Sequence, residues 1–149
     1  DFKCESPEQN PEPLPYLQQT GKHAYDINLQ VAIQPENAVE TVVSNSNFKY
    51  MYWTMSQQLA HHTINGCRVN SGDMMGSGTI SGPTPDSFGS MLELSWGGQN
   101  PIKMNDGSER KFINDNDTVI IRGYCQNDKV RIGFGEVSSK LLPAIDLKF

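Results

Sequence analysis

The stretch "TVIIRGYCQNDKVRIGFGEVSSKLL" (residues 118–142) decides the fold class of this protein. Its β-branched and aromatic residues favour extended backbone, and "QND" (126–128) is typical of a turn between two strands. Val130, Ile132 and Phe134 alternate with polar or small residues and so share one face of a strand. Glycines inside both strands predict a bulge or a close backbone approach, at Gly123, Gly133 and Gly135. The stretch therefore predicts a β-hairpin.

Two further hairpins are predicted upstream. "YDINLQVAI" (25–33) alternates apolar and polar residues with period two, and "VETVV" (39–43) follows the turn "QPEN" as its partner. "PIKM" (101–104) and "ERKFI" (109–113) flank Asp106-Gly107, which is a strong hairpin signal. These pairs extend the β pattern over much of the chain.

One main helix is predicted in "SNSNFKYMYWTMSQQLAHHTING" (44–66). Ser46 or Asn47 is a suitable N-cap, and Asn65-Gly66 a suitable end. Apolar residues recur at spacings of three and four and predict an apolar stripe on one face of the helix, formed by Phe48, Met51, Tyr52, Met55 and Leu59.

The overall prediction is an α+β fold that is predominantly β, with mixed sheets in a roll-like or sandwich-like arrangement and one main helix. Two more strands are predicted in "MMGSGTI" (74–80) and "GSMLELSW" (89–96). Residues 1–22 are rich in proline and are predicted to be a linker or crossover, followed by the principal unit at 23–149. Because the chain starts with Asp1 rather than Met, we expect a fragment of a longer protein.

Composition narrows the class of partner. The 149 residues carry a formal net charge of −5, which disfavours nucleic acids and anionic membranes as partners. No run of 18 or more apolar residues is present. The three cysteines are far apart, odd in number and lack a C-x-x-C motif, and therefore indicate free thiols in a reducing compartment such as the cytoplasm.

Three short motifs carry possible chemistry and also have structural interpretations. His61-His62 has the composition of a metal or acid–base pair, but adjacent helical residues point in different directions, and a histidine in the last turn also suits the helix dipole. Asp115 and Asp117 have the composition of a cation loop but lack the glycine and glutamate spacing of an EF-hand, which favours an Asx-rich turn. "GSGTISG" (76–82) lacks the lysine of a phosphate-binding loop; it offers either backbone for a ligand or a tight turn.

Glu93 is the sharpest candidate for a functional residue. If Leu92, Leu94 and Trp96 of the predicted strand face the core, then Glu93 lies on the opposite face with Met91 and Ser95. That face is either exposed to solvent or part of a cleft. In a cleft, the carboxylate could orient a histidine or a water. The pattern alone leaves both interpretations open.

Longer strings carry a resemblance to a known family. "HHTINGCRVNSGDMMGSGTISGPTPDSFGSMLELSWGG" (61–98) and "GYCQNDKVRIGFGEVSSKLLPA" (123–144) resemble the C-terminal part of members of the fumarylacetoacetate hydrolase family, and "NFKYMYWTMSQQLAHH" (47–62) resembles its helix. The resemblance covers most of the chain, from "PEPLPYL" (11–17) to its end.

This resemblance implies a hydrolase that cleaves the carbon–carbon bond of 4-fumarylacetoacetate to give fumarate and acetoacetate. It implies a Ca²⁺ or Mg²⁺ ion that binds the dicarbonyl group of the substrate, and a histidine that takes a proton from water. Glu93 matches the catalytic glutamate that holds this histidine, and Thr79 matches a substrate-binding threonine. The resemblance also implies two partners: a small β-diketo acid as substrate, and a second copy of the same protein in a homodimer.

Several parts of the family's site have no match here. The resemblance places the metal ligands, including a Glu-x-Glu pair, upstream of this region, so no metal ligand is predicted in this chain. His23, His61 and His62 do not match the catalytic histidine. We therefore expect the chain to be inactive alone. The alternatives are a noncatalytic β-rich binding or assembly module, and a sister acylpyruvate hydrolase or oxaloacetate decarboxylase.

Overall fold

A four-stranded antiparallel sheet is the centre of the computed structural model. The model describes residues 1–145, so the last four residues of the predicted 23–149 unit lie outside the described residues. The strands are β1 (Lys3–Cys4), β2 (Ala24–Tyr25), β3 (Asn28–Gln34), β4 (Thr41–Asn47), β5 (Ile102–Lys103), β6 (Glu109–Arg110), β7 (Thr118–Gln126) and β8 (Arg131–Lys140). The sheet order is β4-β3-β7-β8, and β1-β2 and β5-β6 form two small antiparallel pairs. The predominantly β class with one main helix is confirmed.

All three predicted hairpins form. β3 pairs with β4 on one side and with β7 on the other, so Ala32 and Ile33 are central and almost fully buried. β7 pairs with β8, and the register shifts between Arg122 and Tyr124. The extra residue lies in β8, where Phe134 and Gly135 oppose the single Gly123 of β7, and Gly135 has φ of +78°. A Cβ added at Gly123 would stand 3.1 Å from the Phe134 ring. Of the glycines for which a bulge or a close backbone approach was predicted, Gly135 lies in the bulge and Gly123 in a close approach.

The helix begins later than the sequence pattern predicts. α1 spans Met55–Thr63, and Thr54 caps it through a reciprocal capping box with Gln57. The residues before it continue β4 as far as Asn47, because pairing with β3 satisfies their backbone groups. Asn47 is still a cap, but of a short 3₁₀ turn at Phe48–Tyr50. The predicted start of the helix was wrong.

The predicted apolar face of the helix is also wrong. Met55 and Leu59 are 49% and 42% exposed, whereas the polar Gln57 is the buried residue of α1. The Gln57 side chain forms hydrogen bonds with the Pro-rich segment rather than with the sheet. The predicted end is supported, since Gly66 has φ of +88° just after the helix.

Neither strand predicted in the middle of the chain forms. Residues 74–80 have no regular structure, and Met74 is 97% exposed. Residues 91–94 form a short helix, α2 (Met91–Leu94), preceded by a 3₁₀ turn at Pro85–Ser87. The strand at 89–96 was therefore wrong, and the position of Glu93 changes with it.

The Pro-rich segment is packed against α1. The side-chain amide of Gln57 donates to Gln9 Oε1 and to the Leu17 carbonyl, both at 2.8 Å. Gln9 in turn donates to the Tyr52 carbonyl at 2.6 Å. Segment 1–22 thus contributes contacts to the domain, and the boundary at residue 22 stays a prediction.

Candidate active site

Glu93 lies in the first turn of α2, where Ser90 is the N-cap. The Ser90 hydroxyl accepts a hydrogen bond from the Glu93 backbone N–H at 3.3 Å, and Ser90 has extended backbone, as an N-cap requires. The sequence signal for this helix is the Ser-x-x-Glu spacing of Ser90 and Glu93, and the strand interpretation did not take account of it.

The short helix changes which side chains of this segment are buried. Leu92 and Trp96, predicted to face the core, are 63% and 64% exposed. Ser95, predicted to lie on the opposite face with Glu93, is fully buried and donates to the Met91 carbonyl at 2.7 Å. The predicted facing was wrong because a helix turns 100° per residue rather than 180°. Glu93 itself is half-buried.

Two serine hydroxyls hold the Glu93 carboxylate. Ser81 Oγ lies 2.8 Å from Oε1 and 2.9 Å from Oε2, and Ser90 Oγ donates to Oε2 at 2.7 Å. Short hydroxyl-to-carboxylate contacts are charge-assisted and are among the stronger hydrogen bonds in proteins. The carboxylate is therefore fixed in one orientation. Neither serine was predicted from the sequence to contact Glu93.

Gly89 allows the two serine segments to approach each other. Its backbone N–H donates to Ser81 Oγ at 3.0 Å. A Cβ at this position would stand 2.5 Å from the carbonyl oxygen of Ile80, a separation that real Cβ atoms essentially never show. Glycine is thus required here by space rather than by backbone conformation.

Glu93 and Thr79 line the same cleft. This cleft has a volume of about 500 Å³, and its lining residues are Tyr50, Met51, Tyr52, Trp53, Thr79, Ile80, Ser81, Ser90, Leu92 and Glu93. Thr79 is exposed. The structure therefore brings together the two residues that the sequence singled out, in a setting of aromatic and hydroxyl side chains. Their individual roles stay predictions.

The charge in this cleft is unbalanced. Among the residues that line the cleft, Glu93 is the single acidic residue, and none is a lysine, arginine or histidine. Within residues 1–145, no lysine, arginine or histidine nitrogen is within ion-pair distance of it. Such a carboxylate is suited to accept a hydrogen bond from a cationic or N–H-bearing group supplied by another part of a protein.

The histidines of this chain lie elsewhere. His61 Nδ1 forms a 2.8 Å hydrogen bond with the Tyr16 hydroxyl, and the two rings are stacked. His23 Nε2 lies 2.7 Å from the Thr20 carbonyl. His61 lines a larger apolar cleft of about 670 Å³ between the Pro-rich segment and α1, which contains neither Thr79 nor Glu93. The structural interpretation of His61 is supported.

The described residues do not fit a divalent metal ion. No group of three or more histidine, cysteine, aspartate or glutamate side chains is close enough to bind one in the part of the chain that the structure describes. Asp117 is one of the two aspartates of the possible cation loop, and its carboxylate accepts hydrogen bonds from Arg110. These hydrogen bonds lower the pKa of the Asp117 carboxyl. The Asx-rich turn is confirmed, and no catalytic step is assigned here to a metal.

The cysteines and the lengths of the helices also bear on the predictions from the sequence. All three cysteines are free thiols. Burial raises the pKa of the Cys125 thiol, so this thiol is less reactive than an exposed one. Across residues 1–145, the helices are too short or too polar to cross a membrane.

The sequence is similar to that of known proteins along most of its length. Residues 11–141 match the family model described as fumarylacetoacetate (FAA) hydrolase, C-terminal. The chain is 54% identical over 145 residues to a fumarylacetoacetase of Homo sapiens, covering 97% of this chain and 35% of the relative. The fumarylacetoacetases of Dictyostelium discoideum and Arabidopsis thaliana are 51% and 46% identical over 146 and 144 residues; each match covers 96% of this chain and 34% of the relative. The chain therefore spans about a third of the length of these relatives.

Proposed function

This chain belongs to the fumarylacetoacetate hydrolase family, and we propose that it supplies one wall of the active site of a fumarylacetoacetase. The reaction would be hydrolysis of the carbon–carbon bond of 4-fumarylacetoacetate to fumarate and acetoacetate, in tyrosine and phenylalanine breakdown. One observation carries the proposal: Thr79 and Glu93 line one cleft, and hydroxyl groups fix the Glu93 carboxylate.

Glu93 would act through a histidine outside this chain. Its carboxylate accepts the imidazole N–H, fixes the ring orientation and favours the protonated ring. The opposite ring nitrogen then removes a proton from water, and the resulting hydroxide attacks the carbonyl carbon next to the bond that breaks. The electron pair of that bond passes to the acetoacetate fragment, which takes up a proton as it leaves.

Thr79 would contact the substrate. Its exposed hydroxyl both donates and accepts hydrogen bonds, which suits a β-diketo acid with carbonyl and carboxylate oxygens. The aromatic side chains of Tyr50, Tyr52 and Trp53 lie in the same cleft and would limit the access of water to the carbon chain.

The remaining parts of the proposal concern the whole protein. The Ca²⁺ or Mg²⁺ ion that the family resemblance implies would take its ligands from residues outside this chain, because the described residues form no metal site. When bound, the ion would polarise the dicarbonyl group of the substrate. We further propose that the whole protein is a cytoplasmic homodimer with no nucleic-acid or membrane partner.

The role of Glu93 is tested in a family protein of full length that carries this chain. Glu93→Gln keeps the shape of the side chain but removes its charge, and we expect kcat to fall about a hundredfold or more. Glu109→Gln, an exposed glutamate on β6, is the matched control and should keep normal kcat. An unchanged rate for Glu93→Gln would remove this residue from the mechanism.

Two further measurements test the rest of the proposal. The 149-residue chain alone should not hydrolyse fumarylacetoacetate and should bind Ca²⁺ and Mg²⁺ poorly. Robust turnover by the isolated chain would contradict the idea that it holds part of a site. A panel of acylpyruvates and oxaloacetate, given to the full-length protein, separates the proposed substrate from those of sister enzymes, and no turnover of any substrate would favour a noncatalytic module.

A further inference from the structure

We propose that Ser81 and Ser90 are positioning residues that leave Oε1 of Glu93 as the atom that receives the partner N–H. This inference rests on the proposed function, because it concerns how Glu93 holds its histidine. It assigns a role to two serines that neither touch the reacting atoms nor ionise.

The two oxygens of Glu93 are not equally occupied. Oε2 receives two hydroxyl contacts, from Ser81 at 2.9 Å and from Ser90 at 2.7 Å, whereas Oε1 receives only the Ser81 contact at 2.8 Å. A carboxylate oxygen has about two acceptor positions. Among the described residues, Oε2 therefore receives the Ser90 proton and a share of the Ser81 proton, whereas Oε1 receives only a share of the Ser81 proton. The single Ser81 proton is shared between both oxygens, so Oε1 is the less satisfied atom.

Backbone N–H groups set the direction of both serine hydroxyls. The Gly89 N–H donates to Ser81 Oγ at 3.0 Å, and the Glu93 N–H donates to Ser90 Oγ at 3.3 Å. Each serine oxygen thus accepts from the backbone on one side and directs its proton toward the carboxylate on the other. This arrangement gives Glu93 two donors that do not need to reorganise when a partner binds.

The helix that carries Glu93 is anchored at its far end as well. Ser95 is fully buried, donates to the Met91 carbonyl at 2.7 Å and accepts from the Gly98 N–H at 2.9 Å. Ser90 caps the start of the single turn of α2 and Ser95 caps its end, so α2 has little freedom to rotate. The carboxylate orientation is consequently set by both serines and by the helix.

A double-variant experiment in the full-length family protein tests this inference. Ser81→Ala should lower kcat about tenfold with KM changed less than about twofold, because the lost hydrogen bonds act on Glu93 in the transition state. Ser81→Thr retains the hydroxyl and should restore most of kcat. In a Glu93→Gln background, Ser81→Ala should lower kcat by less than about twofold further, because the group it positions is already disabled.

Ser90 has a second role, and this gives a distinct readout. Because it also caps α2, Ser90→Ala should lower both kcat and the melting temperature, whereas Ser81→Ala should lower kcat with the melting temperature nearly unchanged. Ser138→Ala, an exposed serine on β8, is the control for loss of a hydroxyl and should change neither.

The outcomes separate this inference from the proposed function. If Glu93→Gln is fully active, the proposed role of Glu93 fails. If Glu93→Gln is impaired but Ser81→Ala keeps its normal kcat, or if the two losses multiply in the double variant, the proposed function stands and the positioning role is overturned. A Ser81→Ala variant that loses melting temperature and kcat together, without rescue by Ser81→Thr, would also overturn it, since that pattern describes a purely structural serine.

Discussion

Arg110 and Asp117 form a two-point ion pair in which Nε and Nη2 of the guanidinium each donate to one carboxylate oxygen at 2.8 Å. The Asp117 side chain is 1% exposed and that of Arg110 is 11% exposed. Asp117 Oδ2 also accepts the Asn114 backbone N–H at 2.9 Å. The pair therefore ties β6 to the turn that leads into β7.

Breaking this pair should destabilise the fold. Asp117→Asn leaves the Arg110 charge nearly buried without its partner, and we expect a loss of about 3 kcal/mol in the free energy of unfolding. Asp115→Asn, an exposed residue of the same turn, should have little effect. Denaturant unfolding of the full-length protein at pH 7 measures both. Equal midpoints for the two variants would contradict the expectation.

The ion pair between Arg110 and Asp117 should also make the stability difference between the original protein and Asp117→Asn depend on pH. Hydrogen bonds from Arg110 lower the pKa of the Asp117 carboxyl in the folded protein. Its stabilising contribution is therefore fully present above the pKa of an unfolded aspartate, about 3.9, and is lost as pH falls through the lower folded value. The difference in the free energy of unfolding between the original protein and Asp117→Asn should stay constant from about pH 7 to 5. It should become smaller below about pH 4. A gap that widens in acid would refute this assignment.

Gly89→Ala should disable the candidate site. The new Cβ would meet the Ile80 carbonyl at 2.5 Å and force the Ser81 and Ser90 segments apart, so we expect kcat to fall about tenfold or more and the melting temperature to fall as well. Gly133→Ala is the control, because nothing lies within 4 Å of its added Cβ. Steady-state kinetics and thermal unfolding of both variants give the answer. A fully active Gly89→Ala would show that the close approach is dispensable.

Thr79→Val should weaken substrate binding rather than folding. The side chain is exposed, so the substitution costs little stability, but it removes the hydroxyl that we assign to the substrate. We expect KM to rise about two- to tenfold, the value of one neutral hydrogen bond, with a normal melting temperature. Thr79→Ser keeps the hydroxyl and should behave almost normally. If both variants have unchanged KM, Thr79 has no part in substrate binding.

Gln57→Ala should release the Pro-rich segment. Gln57 is 3% exposed, and its amide oxygen accepts the Thr54 backbone N–H at 3.0 Å, so truncation leaves buried polar groups without partners. We expect a loss of about 1–3 kcal/mol in the free energy of unfolding, and faster proteolysis within residues 1–22. Gln58→Ala, at the neighbouring and partly exposed position, is the control. An unchanged proteolysis rate would mean that other contacts suffice to hold the segment.

The sequence predicted the sheet well because period-two alternation is a local property. β3, β7 and β8 follow directly from it, and the bulge in β8 follows from Gly135, a glycine within a strand. It failed where short apolar runs fit two kinds of structure. "MLEL" (91–94) is compatible with a strand or a helical turn, and only the Ser90 cap decides for the helix.

The sequence by itself determined the β-rich class, the free cysteines, the family resemblance and the choice of Glu93 and Thr79 as candidates. Only the tertiary structure decided that these two residues share a cleft and that Ser81, twelve residues before Glu93, holds its carboxylate. The physical reason is that residue patterns report local backbone preference. A hydrogen bond across twelve residues depends instead on the path of the loop, and at Gly89 on the absence of a side chain.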